Sequence, residues 1–252
     1  MQSCYEDLID VDFNQFGSNI IIEGSITDQI EPFSVKITKT APINGGGMPA
    51  PVTGANVIIT DNFGNTFPLL ESSAGYYYSS PIEGVTGRTY LLDIAAEGQL
   101  FTASSTLPEA IELDSVAIRI YFYNDGFFLD LTCYLTDKPE IREYCLLRFK
   151  INGAYQWGNE ILYHDAFTDG QAVILDNIGL FCSPGDLLEI EVFTLDEAGY
   201  EFYSSLLNIE DYLEPEMPDF YEIVSSNPRS NISGGALGYF GTYGYRVYLY
   251  HL

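Results

Sequence analysis

Apolar residues alternate with polar ones over short runs, and each run ends at glycine, proline, asparagine, aspartate or serine. Between residues 18 and 106 the runs fall at 20–26, 34–40, 55–60, 66–70, 76–79, 89–95 and 100–105. A period of two puts successive side chains on opposite faces, so each run predicts a half-buried β-strand. Asp61-Asn62-Phe63-Gly64-Asn65 and Ala96-Glu97-Gly98 supply hairpin turns, because Gly and Asn tolerate positive φ. Seven short strands in a stretch of this size predict an immunoglobulin-like or transthyretin-like sandwich. Residues 41–51 hold Gly45-Gly46-Gly47 and three prolines, which predict a flexible loop rather than strand or helix.

Leu107-Pro108-Glu109-Ala110 reads as a linker. After it, Val116, Ile118, Ile120 and Phe122 point one way from a strand over 115–123. Asn124-Asp125-Gly126 then turns the chain into a second strand over 127–136. Further strands are predicted at 144–151, 172–175, 187–194 and 245–250. One helix is predicted at 196–212, with Thr194 and Glu197 at capping-box spacing and Pro215 beyond its end. Residues 227–241 carry glycines at 234, 235, 238 and 241 between aromatics, which predicts a shaped loop. The fold class expected is all-β. It has a tether over 1–17, an immunoglobulin/transthyretin-like sandwich over 18–107, and a second β-rich domain with one helix over 108–252.

Charge narrows the function. The chain has 36 acids and 10 bases, a net charge of −26. Both halves are acidic, so nucleic acid is not an expected partner, since phosphate recognition needs Lys and Arg. No apolar run approaches the roughly 18 residues of a membrane-spanning helix. Four cysteines, Cys4, Cys133, Cys145 and Cys182, show no metal-ligand spacing. Cys133 and Cys145 lie in apolar runs, where a free thiol packs as a small hydrophobe. A Cys133–Cys145 or Cys145–Cys182 bridge stays open.

Reaction chemistry is sparse. Of two histidines, His251 is penultimate and His164 is followed by Asp165. Neighbours on a strand face opposite ways, which spoils a base–acid pair. No nucleophile elbow or phosphate loop is present. Asp10-Val11-Asp12 and the 61–65 turn offer hard oxygens but do not match an EF-hand loop. The expectation is a chain with no catalytic residues, no cofactor and no metal. The 20 tyrosines, 16 phenylalanines and one tryptophan instead suggest recognition. Candidate binding residues are Tyr77, Trp157, Asn231, Gly234, Gly235, Tyr239 and Phe240.

Cys4 follows Met1-Gln2-Ser3 and precedes Tyr5-Glu6-Asp7. A cysteine so placed is where a bacterial lipoprotein carries its lipid. Four further stretches stand out: residues 21–28 (Ile-Ile-Glu-Gly-Ser-Ile-Thr-Asp), 51–57, 84–90 and 105–108. With Cys4 and the segment 230–241, they make the chain resemble, over nearly its whole length, DUF4249, a family of Bacteroidota lipoproteins catalogued as a domain of unknown function. The resemblance implies a lipoprotein of the outer membrane, lipidated at Cys4 and displayed at the cell surface. It further implies an accessory or substrate-binding subunit partnered with a TonB-dependent transporter. An adhesin or structural surface scaffold is the alternative. The family supplies no catalytic residues.

Overall fold

The computed structural model describes residues 18–41, 48–123, 126–165, 170–212 and 227–252. Cys4 and the tether around it lie outside these residues.

Eight strands build the first half: β1 (Ile20–Thr27), β2 (Ile30–Lys39), β3 (Ala50–Pro51), β4 (Asn56–Asp61), β5 (Thr66–Ser73), β6 (Tyr76–Glu83), β7 (Thr89–Ala96) and β8 (Gln99–Thr106). Alternation selects their inner faces. Ile22 and Ile26, Phe33, Val35 and Ile37, Tyr90, Leu92 and Ile94, and Phe101 all point into one core. Each such side chain stabilises by roughly 1.5–3 kcal/mol on burial. Phe33 meets Phe67 and Tyr90 edge-on at 5.4 and 5.7 Å. β5 passes from one layer to the other. Its Leu69 lies opposite Val57 of β4, while Leu70 lies opposite Tyr78 of β6. Ala50 and Pro51, expected within a loop, pair with β2 instead.

The second half contains β9 (Ser115–Tyr123), β10 (Gly126–Thr136), β11 (Tyr144–Ile151), β12 (Ala154–Tyr155), β13 (Ile161–His164), β14 (Ala172–Cys182), β15 (Leu187–Leu195), α1 (Glu197–Tyr212) and β16 (Leu237–His251). Strands β14, β10 and β9 form a three-stranded sheet, while β12, β11, β15 and β16 lie in the other layer. Leu129, Leu131 and Leu135 of β10 share a core with Leu147, Phe149, Ile190 and Val192. Cys133, Cys145 and Cys182 are free and buried here. Burial pushes the Cys133 thiol up to about 12, so these thiols are inert packing groups. Helix α1 covers the opposite face of β11, β15 and β16 through Tyr200, Phe202 and Tyr203.

The last strand joins the two halves. Residues 237–243 of β16 pair with β1 in parallel, Phe240 opposite Gly24. From Gly244 onward the same strand pairs antiparallel with β15. Parallel partners need a long connection, and here nearly the whole chain supplies it. Ile232, Ala236 and Phe240 thereby enter the first core. Sequence pattern starts this strand at residue 245, eight residues late, because the glycines at 238 and 241 read as loop. A Cβ at Gly238 would lie 2.1 Å from the Ile22 carbonyl oxygen, and its φ is +93°. Glycine is required there by close backbone approach, not by flexibility.

The turn between β4 and β5 shows how one carboxylate organises a hairpin. Asp61 accepts hydrogen bonds from the Phe63 and Asn65 N–H groups at 3.0 and 2.9 Å, from Asn65 Nδ2 at 2.8 Å and from Arg88 at 2.6 Å. Its oxygens are thus committed to the turn. Burial pushes this carboxyl up, but the Asn65, Phe63 and Arg88 donors more than offset that and hold it below the usual range. A carboxyl depressed in the fold stabilises fully above its unfolded pKa of about 3.9, and that contribution is lost as pH falls through the folded value. Resistance to urea unfolding should therefore fall as pH drops below about 4. In Asp61→Asn this part of the acid loss should vanish, with neutral-pH stability lower by about 1–3 kcal/mol. Identical acid profiles for the two proteins would refute the assignment.

Candidate ligand-binding cleft

A cleft of about 360 Å³ opens on the outer face of the sheet where the two halves meet. Its floor comes from side chains that the alternation turns away from both cores. Glu23 and Ser25 come from β1, Ser34 and Lys36 from β2, Tyr76 and Tyr78 from β6, and Tyr239 and Tyr243 from β16. Arg148 of β11 and Phe193 of β15 close one end, while Phe202 and Tyr203 of α1 form the overhanging wall.

Helix α1 is fixed over the cleft by Asp196. Its Oδ1 accepts the Gly199 N–H at 2.8 Å, capping the helix, and the Tyr239 hydroxyl at 2.7 Å. Its Oδ2 accepts the Ser105 hydroxyl at 2.7 Å. The capping residue expected at Thr194 is therefore Asp196; the Thr194 hydroxyl accepts the Ile111 N–H instead. The Phe202 ring stacks on Tyr239 at 5.0 Å with 15° between planes. Gly241 makes room for the floor, since a Cβ there would lie 2.2 Å from the Tyr243 hydroxyl oxygen. Tyr203 and Tyr243 bring their hydroxyls to 3.4 Å. Burial, then the neighbouring Tyr203, raises the Tyr243 hydroxyl well above its ordinary pKa. It is neutral at physiological pH.

Two cations line the cleft and they differ. Lys36 pairs with Glu23 at 2.6 Å. Arg148 lies over three rings, Tyr203 at 5.4 Å, Phe193 at 5.8 Å and Trp157 at 6.0 Å. Its Nε is buried and has no hydrogen-bond partner among the described residues. Glu191, directly across from it on β15, is turned to Lys150 at 2.9 Å and to the Tyr245 hydroxyl at 2.7 Å. A larger depression of about 860 Å³ includes Asp28 and Arg246. Arg246 is committed to Asp28 at 2.7 Å and Glu112 at 3.2 Å, so that depression offers no spare guanidinium.

The sequence candidates separate cleanly. Tyr239 is in the cleft floor. Trp157 is 67% exposed, stacks with Tyr155 at 5.0 Å and stands beside Arg148. Tyr77 is buried between Tyr76 and Tyr78, donates to the Val52 carbonyl at 2.9 Å and accepts the Ala55 N–H at 3.1 Å. The strand alternation itself turns Tyr77 inward and its neighbours outward. Asn231 grips the Phe240 backbone, accepting its N–H at 3.0 Å and donating to its carbonyl at 2.8 Å. Gly234 and Gly235 turn the chain at φ of +78° and +80°, and a Cβ on Gly234 would sit 2.6 Å from the Leu100 carbonyl oxygen. Phe240 is fully buried. These five residues shape the fold around the cleft rather than line it. Sequence reasoning missed Arg148, Tyr203 and Tyr243; the run Tyr76-Tyr77-Tyr78 pointed to β6, and strand alternation assigns Tyr76 and Tyr78, rather than Tyr77, to the cleft. His164 sits edge-on to Tyr200 at 5.1 Å, while the Asp165 carboxylate accepts the Glu143 N–H at 3.0 Å.

No curated protein matches the chain. Among solved structures, a two-domain fibronectin type-III segment of chicken tenascin is similar at 12% identity, covering 71% of this chain and 91% of that one, with a TM-score of 0.23. The Yersinia pseudotuberculosis adhesin InvE is similar at 16% identity, covering 72% and 56%, with a TM-score of 0.23. A DUF4785 family protein from Legionella pneumophila is similar at 10% identity, covering 74% and 55%, with a TM-score of 0.25. Likenesses of that order carry no argument about activity or partners. The family described as "Domain of unknown function (DUF4249)" matches residues 6–248. That span takes in both sandwiches and the strand that joins them, and the chain belongs to the DUF4249 family.

Proposed function

We propose that the protein is a surface-exposed lipoprotein of the outer membrane, anchored by lipid on Cys4. It acts as a non-enzymatic, ligand-binding accessory subunit of a TonB-dependent transporter. The observation that carries the binding role is the cleft. Aromatic walls and a few convergent polar groups on a rigid sheet are the usual make-up of a small-molecule site. The position of Cys4 ahead of Glu6 and Asp7 supports the anchor. Exposed rings on the three-stranded sheet, Phe122 at 69% and Phe181 at 72%, support contact with another protein, because such apolar surface is commonly covered at interfaces. The test is a gentle detergent pull-down of the lipidated protein from its native outer membrane, read by mass spectrometry. A stoichiometric TonB-dependent transporter is the expected result. Recovery of the protein alone would replace this reading with that of an adhesin or surface scaffold. Cys4→Ala should release the chain from the membrane fraction.

A further inference from the structure

We propose that Arg148 is an anion-recognition residue, and that the cleft takes a small ligand bearing a carboxylate or phosphate on a flat, largely apolar body. The inference rests on the reading of the cleft as a ligand site and names the chemistry of its ligand. Acids outnumber bases 36 to 10 in this chain, so a base that meets no acid is unusual. Arg88, Arg119, Arg229 and Arg246 each meet a carboxylate, and Arg142 bonds the Tyr144 side chain. Arg148 meets rings, and among the described residues no ion pair includes it.

That arrangement positions the guanidinium without using its hydrogen bonds. Stacking on Tyr203, Phe193 and Trp157 is a cation–π contact, which restrains the plane and leaves the N–H fork free. A planar fork held in place matches the two oxygens of a carboxylate or phosphate. The buried Nε without a partner is a donor that a ligand oxygen would satisfy. Local charge agrees. The cleft lining holds Lys36, Arg148 and Glu23 as its formally charged groups, so it is net positive within a chain of −26. Glu191, across from Arg148 on β15, gives its Oε1 to Lys150 and to the Tyr245 hydroxyl; Lys150 is shared with Glu189, and the buried Glu191 Oε2 has no hydrogen-bond partner among the described residues. The remaining acids act weakly at a distance, because the Debye length is about 8 Å at physiological ionic strength. Tyr76, Tyr78 and Tyr203 then present ring surface to the body of the ligand.

Trp157 is the single tryptophan of the chain and lies 6.0 Å from the guanidinium, so it reports on the site directly. The experiment titrates the full chain with benzoate, phenyl phosphate and uncharged benzamide while following tryptophan emission. Saturable binding of benzoate or phenyl phosphate is expected, with benzamide at least about tenfold weaker, as loss of a charge-assisted pair implies. The stronger of the two anions identifies the head group. In Arg148→Gln the preference for anions over benzamide should vanish, and in Arg148→Lys it should shrink, because the charge stays and the fork is lost. Benzamide binding as tightly as benzoate to the unaltered protein overturns the proposal without any variant. So does the lack of a saturable response to both anions. The outcome is independent of the transporter, so failure of the pull-down and failure of anion binding are separate results.

Discussion

Phe240→Ala should lower the stability of the protein by about 3–5 kcal/mol, the usual loss for a fully buried ring. The side chain is 0% exposed and packs over Gly24, where an added Cβ would come within 2.6 Å of the ring. It is also the residue through which the parallel half of β16 enters the first core. Asn231 clamps its backbone from one side while β1 lies on the other. For a chain of this size each kcal/mol moves Tm by roughly 2–4 °C, so a fall of about 10 °C is expected. Thermal unfolding followed by circular dichroism measures it. A shift under about 3 °C would mean that the ring is not packed and that β16 does not seal the first sandwich.

The second large effect is at Asp196, where three elements converge on one carboxylate. Asp196→Ala removes the helix cap, which costs about 1 kcal/mol. It also strips the buried Tyr239 hydroxyl of its acceptor, which costs a further 1–3 kcal/mol or so. The total expected is about 2–4 kcal/mol. Loss of the cap should fray the first turn of α1 and reduce the helical signal at 222 nm. Because Phe202 and Tyr203 hang from that helix, binding in the cleft should weaken along with stability. Asp196→Asn keeps a capping oxygen and should recover part of both. A variant that melts like the unaltered protein and binds as well would show that α1 is held by packing alone.

Much of the fold was legible because its signals are local. In β1, β2, β7 and β8 the inward residues follow the period of two, and the turn at Asp61 follows from the preference of Asx and Gly for that geometry. The helix was legible from the capping-box spacing at its start and Pro215 beyond its end, though its cap was misplaced by two residues. That difference depends on where the backbone leaves β15, which spacing alone does not encode. β13 and the second half of β14 were missed because short or bulged runs carry weak periodicity; pairing of β10 with β14 shifts between Leu131 and Cys133. The glycines before residue 242 were read as loop since local propensity favours it. Their use in close approach appears only against Ile22 and Tyr243.

The candidate site was less legible than the fold. Tyr239 and Trp157 came from aromatic content, and both stand in or beside the cleft. Arg148 gave no signal, because a charged residue on the outer face of β11 reads as ordinary solvent exposure. It becomes a cleft residue only when α1 folds across that face and Phe193, Tyr203 and Trp157 close around it.

What the sequence by itself determined is the all-β class, the inner face of most strands, the position of the helix and the acidic character of the surface. Each follows from interactions between residues a few positions apart, and these repeat in register along the chain. The tertiary structure alone decided that β16 pairs with β1 on one side and β15 on the other, and that a cleft lies where those pairings meet. A strand pattern fits many partners equally well. The choice among them is made by packing between residues far apart in sequence, such as Phe240 on Gly24.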